Sequence, residues 1–398
     1  MKAVILAAGQ GTRMGPLTRN IPKVMLPIAN KPLLLHVIQS ARDAGIREFV
    51  LVVGYGAKHI KDYFKDGSLL DVSIEYVHQE KQMGTADAVG SAKGMVGDRF
   101  LVLNGDIIVN PAHIKKLIEF SSDVVLTARH VDNPSEYGVL EVQGSRVLRI
   151  IEKPLDPPTN LANAGIYVFP SSIFDAISVT PLSIRKEYEI TDSLQMLIDK
   201  GTDVGFLTLS DKWMDIGRPW ELLDANEYFL SVLQPDISGE IEIEPFATLK
   251  GSVSVGEGTI IRNGSYIVGP VIIGKNCDIG PNCYIRPGTS VGDNVRIGNA
   301  VEIKNSIIMK GTHIGHLSYV GDSIIGERCN FGAGTKVANL RHDGRTIRVT
   351  LKGKLIDSGR RKLGTIMGDD VHTGINCMIN VGAVVESKAM IAPGELVK

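Results

Sequence analysis

Cysteine is scarce in this sequence and absent from its first half. Only Cys277, Cys283, Cys329 and Cys377 occur among 398 residues, and no two stand in the C-x-x-C spacing that would suggest a zinc site. Cys277 and Cys283 are six apart, in phase with a repeat considered below, and read as small buried apolar residues. Long hydrophobic runs are also missing. The longest are strand-sized pieces such as 49–53, far short of the roughly 20 residues that cross a bilayer, so no membrane span is expected. After Met1 and Lys2 the chain enters a strand and a glycine turn, without the apolar stretch and cleavage site of a secretory signal, and a cytoplasmic location is the expectation. Neither sign of charge is in excess. The formal net charge of -1 argues against a general nucleic-acid or polyanion binder, so any phosphate recognition is local.

What is present divides into two chemistries. A length of 398 residues suits two domains, and 43% hydrophobic with 22% charged residues describe a soluble globular protein. In the first half, β-rich runs at 4–7, 49–53, 73–77 and 100–103 alternate with helical patterns at 33–44, 57–64 and 86–92. Strict alternation implies crossover units and a Rossmann-like α/β domain, its mostly parallel sheet covered by helices on both faces and its ligands bound at the carboxyl ends of strands. Gly9-Gln10-Gly11 and Asn104-Gly105-Asp106 lie at such ends. Glycines without Cβ atoms let consecutive backbone N–H groups approach a phosphate, and Arg13 offers a planar charged fork to the same oxygens. Alone, the G-x-G carries little, because it has neither the third glycine of the dinucleotide fingerprint nor the Gly-Lys-Ser/Thr of a P-loop.

The combination is far more specific. Leu6-Ala7-Ala8-Gly9-Gln10-Gly11-Thr12-Arg13-Met14, with Pro22-Lys23, Gln79-Glu80-Lys81-Gln82-Met83-Gly84-Thr85, Asn104-Gly105-Asp106, Glu152-Lys153-Pro154, Asn163-Ala164-Gly165 and Trp213-Met214-Asp215-Ile216-Gly217, resembles the sugar-1-phosphate nucleotidylyltransferases across residues 1–230. The resemblance implies a reaction in which an oxygen of a sugar-1-phosphate attacks the α-phosphate of UTP, or of dTTP, and pyrophosphate leaves. Anion meets anion here, so positioning and cations supply most of the catalysis. By the same resemblance Gly9 and Gly11 cradle the phosphates, Arg13 assists the departing pyrophosphate, and Lys23 holds the α-phosphate or the sugar phosphate. Asp106 and Asp215 are implied as ligands of Mg²⁺, a cation suited to few carboxylates completed by water and phosphate oxygens. Gln79 and Gly84-Thr85 are implied at the base edge, Gly138, Glu152 and Asn163 at the sugar hydroxyls, and Lys153 as a further phosphate contact. Uracil and thymine differ by one methyl, worth only about 1–3 kcal/mol, so both bases stay open and uridine is the preferred expectation.

The pattern at 220–233 predicts an amphipathic helix closing the first domain. The turn-rich Gln234-Pro235-Asp236-Ile237-Ser238-Gly239 then places a boundary near 235, giving domains 1–235 and 236–398, with Glu240-Ile241-Glu242-Ile243 as an entering strand. Beyond it, Val255, Ile261, Ile267, Ile273, Ile279, Ile285, Val291, Ile297 and Ile303 form nine aliphatic sites in strict six-residue register. The phase slips to Ile308, Ile314 and Val320, slips again to Ile325, Phe331 and Val337, and resumes at Met367, Thr373, Ile379, Val385 and Ile391. Each slip is expected to mark a loop expelled from a regular solenoid. Six residues fit one short strand plus a corner, with the aliphatic side chain inward, and three such units close a triangular coil. This resembles the all-β left-handed parallel β-helix of the hexapeptide acyltransferases, which implies a homotrimer.

Function in such a scaffold rests on the side chains that break the aliphatic rule. Gly315-His316-Leu317-Ser318-Tyr319-Val320-Gly321-Asp322, preceded by Val301-Glu302-Ile303-Lys304 and followed by Asn330-Phe331-Gly332-Ala333-Gly334-Thr335, resembles the acetyltransferase half of bifunctional enzymes that make UDP-N-acetylglucosamine. Transfer from acetyl-CoA to an amino-sugar-1-phosphate needs a neutral amine, a base for its proton and a donor to the thioester oxygen. The resemblance makes His316 the base, puts Arg286 and Lys304 on the sugar phosphate, puts Tyr319, Asn330 and Asn339 on the sugar and its amine, and leaves Ala333 in the path of coenzyme A. The stretch between Lys336 and Gly364 is longer than in the bacterial enzymes and resembles the archaeal form. Leu340 stands where the bacterial enzymes have a tyrosine, which bears on acceptor selectivity. Arg360-Arg361-Lys362 reads either as a contact for coenzyme A phosphates or as a solvated loop. The whole chain then reads as a bifunctional enzyme making UDP-N-acetylglucosamine from glucosamine-1-phosphate. The alternative is a nucleotidylyltransferase using glucose-, mannose- or N-acetylglucosamine-1-phosphate, with a structural or regulatory β-helix.

Overall fold

A computed structural model describes residues 1–398 apart from Asp211 and Ser238. Ser238, in the turn expected at the join, thus lies outside the described residues. Strands β1 (Lys2–Ala7), β2 (Glu48–Val53) and β4 (Arg99–Asn104) are nearly continuous runs of Val, Ile, Leu and Phe, as strands covered on both faces require, and β3 (Ser73–His78) forms the edge. They lie parallel in the order β3-β2-β1-β4. Helices α1 (Leu33–Asp43), α2 (Ala57–Phe64) and α3 (Thr85–Gly90) form where the 3.6-residue pattern placed them.

After Asn104 the chain runs through β5 (Ile107–Val109), α4 (Pro111–Glu119), β6 (Val124–His130), β7 (Gly138–Gln143), β8 (Arg146–Glu152) and β9 (Leu161–Pro170). It continues through α5 (Ile173–Val179), α6 (Ile190–Asp199), β10 (Val204–Thr208), β11 (Trp213–Asp215) and α7 (Pro219–Ser231). The nine-stranded sheet has the order β3-β2-β1-β4-β9-β6-β10-β8-β7, and β9 runs antiparallel to both its main neighbours, β4 and β6. The carboxyl ends of β1 and β4 consequently lie side by side, where the Gly105 amide donates to the Leu6 carbonyl at 2.9 Å. Both glycine turns sit at that edge.

Compactness divides the chain differently from a single cut near residue 235. Met1–Gln10 and Leu33–Asp215 form one unit, and Gly11–Pro32 with Ile216–Lys398 form the other. The physical reason is that α7 and the segment 11–32 are hydrogen-bonded to the solenoid. Asn226 of α7 is fully buried, donates to the Gly288 carbonyl at 2.9 Å, and accepts from the Ala29 amide at 2.9 Å and the Ser290 hydroxyl at 2.5 Å. No helix among the described residues is long and apolar enough to cross a membrane.

The solenoid is the triangular β-helix that the six-residue register implies, built from three parallel sheets. Face one includes Ile260–Ile261, Asp278–Ile279, Arg296–Ile297, His313–Ile314 and Asn330–Phe331; face two includes Tyr284–Ile285, Glu302–Lys304 and Tyr319–Gly321; face three includes Thr289–Val291, Ile307–Ile308 and Ile324–Ile325. Ile261 stacks on Ile279 and Ile279 on Ile297, eighteen residues per coil, so every sixth side chain enters one continuous apolar core. Two of the expected expelled loops are not loops. From Ile303 to Ile308 and from Val320 to Ile325 the chain is one residue shorter at the corner between faces two and three, and the stacking steps down to seventeen, as in Ile303↔Val320. Only the third slip expels chain: the segment between Val337 and Met367 holds an antiparallel hairpin, Arg348–Leu351 with Lys354–Asp357, while Ile325 stacks on Met367 beneath it.

All four cysteines are buried and unpaired. Burial pushes the thiols of Cys277 and Cys283 up to about 11 and that of Cys329 to about 12, so the reactive thiolate is scarce. Ellman's reagent is expected to give no prompt colour with the native protein and to count four thiols after denaturation. Prompt reaction of the native protein would contradict this packing.

Candidate active sites

In the unit that carries the solenoid, the glycine turn has a strict steric logic. Gly11 has φ +70°, and a Cβ there would lie 2.5 Å from the Lys23 Cβ. Its carbonyl accepts from the Met14 amide at 2.9 Å and the Thr18 hydroxyl at 3.1 Å, closing the 3-10 stretch Thr12–Thr18. Lys23 is thereby laid against the turn with its side chain largely covered, while Arg13 stays exposed. The Arg13 guanidinium lies beside Gly217, 3.5 Å from where that residue's Cβ would stand. Gly11 is therefore packed on Lys23, and Arg13 follows two residues later in that 3-10 stretch. Gly9, two residues past β1 in the other unit, has no described residue within 4 Å of a built Cβ.

Asp106 and Asp215 belong to the first unit. Strands β5 and β11 pair antiparallel with Asp215 opposite Ile107, the residue that follows Asp106, so the backbones of the two aspartates come close together. Arg129 fixes this ladder by donating to the Trp213 carbonyl at 3.2 Å, with its guanidinium 5.2 Å from the indole centre. Gly138, Glu152 and Asn163 also converge. Gly138 faces Glu152 in the β7–β8 register, and a Cβ on it would lie 3.1 Å from Glu152 Oε2 and 3.6 Å from the Asn163 Cβ. Lys153 turns back onto Glu152, with Nζ 3.4 Å from Oε1.

Sequence reading missed the groups that hold Glu152. Arg185 Nη1 lies 3.2 Å from Glu152 and 3.1 Å from Glu189, and Thr191 donates to Glu152 Oε2 at 3.1 Å. Burial and then the Glu152 charge raise the Glu189 carboxyl above its ordinary range, and the same two causes raise Asp192. The alternation Arg185, Glu187, Glu189 was the available signal. At the implied base edge, Gln79 is buried and its amide donates to Asp87 at 2.6 Å. Gly84 has φ +119° and packs so closely on the Tyr188 backbone that no side chain fits, while the Thr85 hydroxyl accepts from the Ile190 amide at 3.0 Å.

The residues that the resemblance implies for acetyl transfer fall at two different corners of the solenoid. His316 lies exposed between faces one and two, in a cavity of about 570 Å³ that Asn330 also lines, and Ala333 follows one coil later at the same corner. Arg286, Lys304, Tyr319 and Asn339 group instead at the end of face two, toward face three. The organiser there is Asp322, a buried carboxylate. It accepts from Asn305 at 2.8 Å and from Asn339 at 2.5 Å, and stands 3.6 Å from Lys304 Nζ; Asn339 also donates to the Tyr319 hydroxyl at 3.2 Å. Burial, more than any neighbour, lowers the Lys304 ammonium below its ordinary range, with Lys362 adding to the effect. Arg286 is held by Glu302 at 2.8 Å. A cavity of about 530 Å³ opens at this corner, lined by Lys304, Asp322 and Arg360-Arg361-Lys362. In the basic cluster Arg360 pairs with Asp224 of α7 and Arg361 donates to the Gly344 carbonyl at 3.1 Å, while Arg361 and Lys362 remain exposed. Leu340 is exposed.

Known proteins match both halves. The Nucleotidyl transferase family matches residues 2–231, and the GMPPB C-terminal domain family matches residues 267–393. Over its full length the chain is 44% identical to the bifunctional protein GlmU of Methanocaldococcus jannaschii, covering 95% of that protein. It is 42% identical to the bifunctional sugar-1-phosphate nucleotidylyltransferase/acetyltransferase of Sulfurisphaera tokodaii, again over its full length and covering 97% of that protein. Among solved structures, a UDP-glucose pyrophosphorylase complexed with UDP-glucose matches 58% of this chain and 98% of its own with a TM-score of 0.53 and 26% identity.

Proposed function

The chain belongs to the family of bifunctional sugar-1-phosphate nucleotidylyltransferase/acetyltransferases, and from that premise we propose that it makes UDP-N-acetylglucosamine in two steps. Residues 236–398 transfer acetyl from acetyl-CoA to glucosamine-1-phosphate. Residues 1–235 then join N-acetylglucosamine-1-phosphate to the uridylyl group of UTP. The observation that carries the bifunctional reading is the Asp322 corner. A coil serving only assembly has no use for a buried carboxylate that collects a lysine and two asparagines beside an open cavity.

In the first step the neutral amine attacks the thioester carbonyl, a C–N bond forms and the C–S bond breaks. His316 takes the amine proton, and a proton returns to the coenzyme A thiolate. Lys304 and Arg286 hold the sugar phosphate, with Tyr319, Asn330 and Asn339 on the sugar and Ala333 beside coenzyme A. The lowered affinity of Lys304 for its proton fits a cation kept dry for an anionic ligand. His316 and Lys304 stand at different corners, and a cyclic assembly apposes different patches of neighbouring copies, so we propose a homotrimer with shared acetyl sites.

In the second step an oxygen of the sugar phosphate attacks the α-phosphorus of UTP, and the bond to the pyrophosphate oxygen breaks. Gly9 and Gly11 admit the phosphates, Arg13 takes the charge of the leaving pyrophosphate and Lys23 holds the α-phosphate. Gln79, Gly84 and Thr85 contact the base, Gly138, Glu152 and Asn163 the sugar, and Lys153 a phosphate. Among the described residues no group of three or more His, Cys, Asp and Glu could hold a metal, whereas two aspartates whose backbones lie close suit Mg²⁺ completed by substrate oxygens and water. Asp106 and Asp215 would hold it, and when bound it supplies positive charge to the phosphates. Both UTP and acetyl-CoA are cytoplasmic metabolites, which places the reaction there.

Incubation with glucosamine-1-phosphate and acetyl-CoA is expected to release free thiol, and N-acetylglucosamine-1-phosphate with UTP to release pyrophosphate. Pyrophosphate without any thiol would replace this reading with a single-activity nucleotidylyltransferase.

A further inference from the structure

We infer that nucleotidyl transfer in this chain depends on an anchor within the solenoid unit: Asn226 of α7 is a positioning residue that holds the segment bearing Gly11, Arg13 and Lys23 to the coils. The inference rests on the assignment of Arg13 and Lys23 to the phosphates. Asparagine is a poor residue for a helix interior, and burying its carboxamide is unfavourable unless its hydrogen bonds are made. Here they are made, and none of them is to the helix. The oxygen takes the Ala29 amide and the Ser290 hydroxyl, and the nitrogen reaches the Gly288 carbonyl.

Ala29 and Asn30 form the turn between Pro27–Ile28 and Lys31–Pro32 with φ of +47° and +61°, a left-handed conformation that side chains disfavour. The turn is retained because it is tied down, by Asn226 and by Asn30 donating to the Val291 carbonyl at 2.6 Å. The other end of the segment is tied to later coils. Asn20 donates to Asp369 at 2.8 Å, and the Pro16 carbonyl accepts from the Ser387 hydroxyl at 3.4 Å. Asp369 is itself buried and fixed by the Glu327 amide at 2.9 Å. Lys23 lies between these two attachments, and Gly11 is locked to Lys23 by their packing. Small displacements of phosphate-holding cations cost rate steeply, because their contribution lies in prior placement.

The test uses the full-length protein, with pyrophosphate release and thiol release measured on each variant. Asn226→Leu keeps the shape and loses the bonds, and is expected to lower kcat for pyrophosphate release tenfold or more while thiol release stays within twofold. Asn226→Asp keeps the acceptor for Ala29 and Ser290 and is expected to restore most of that kcat; a residue needed only for packing would give the reverse order. Asn20→Ala, near the surface, is expected to lower the same kcat threefold or more, and it decides the matter if Asn226→Leu fails to fold by circular dichroism. Arg13→Ala is the control on the underlying assignment. If it leaves pyrophosphate release intact, that assignment falls and the anchor with it. If Arg13→Ala abolishes release but the folded Asn226→Leu and Asn20→Ala proteins stay within twofold of wild type, or lose thiol release in parallel, the anchor alone is overturned.

Discussion

His316→Ala is expected to cut thiol release from acetyl-CoA by about 10²–10⁴-fold, the range a positioned general base supplies, with pyrophosphate release unchanged. Lys304→Ala is expected to fail as well, through loss of the sugar phosphate's cation. The informative experiment combines them. His316 belongs to the corner between faces one and two, and Lys304 to the corner between faces two and three. If each acetyl site takes one group from each of two neighbouring copies, mixed assemblies contain sites with both groups intact. Random mixing of the two variants in equal amounts should then restore about a quarter of wild-type activity in a cyclic trimer. Mixtures as inactive as their parents would show that each chain builds its own site.

Asp106→Ala is expected to reduce pyrophosphate release by about 10²–10³-fold, comparable to deleting one electrostatic stabiliser of a transition state, and to leave thiol release untouched. The separation follows from position, since Asp106 and Asp215 belong to one compact unit while His316 and Lys304 belong to the other. Chelation of divalent cations should mimic the substitution, silencing pyrophosphate release alone. Loss of both activities in a folded Asp106→Ala protein would contradict the division of labour.

Much of the fold was legible because its signals are local. Crossover helices and strands of the first sheet follow from apolar periodicity, and the coil core from a six-residue register that side-chain stacking enforces. What the sequence concealed was long-range. Nothing in residues 11–32 announces that they pack with the solenoid, because their attachments are single hydrogen bonds from Asn20, Ala29 and Asn30 to partners hundreds of positions away. Arg185 and Asp322 were hidden for a related reason: each acts by collecting partners from several strands or loops. Two of the three phase slips are shortened corners, and only the third is an expelled loop. All three fall at the corner between faces two and three, where the coil shortens twice and the hairpin then emerges, and Lys304, Asp322 and Arg360-Arg361-Lys362 gather there.

The hairpin between Val337 and Met367 also bears on how such a molecule can diversify. Because Ile325 stacks on Met367, and Val337 on Ile379, the ladder passes beneath the insert as though it were absent. Cohesion of the stack and the one wall of the neighbouring cavity formed by Arg360-Arg361-Lys362 are therefore written in separate stretches of chain. A lineage can lengthen, trim or recharge this appendage, and so reshape that wall, without renegotiating the geometry of a single coil.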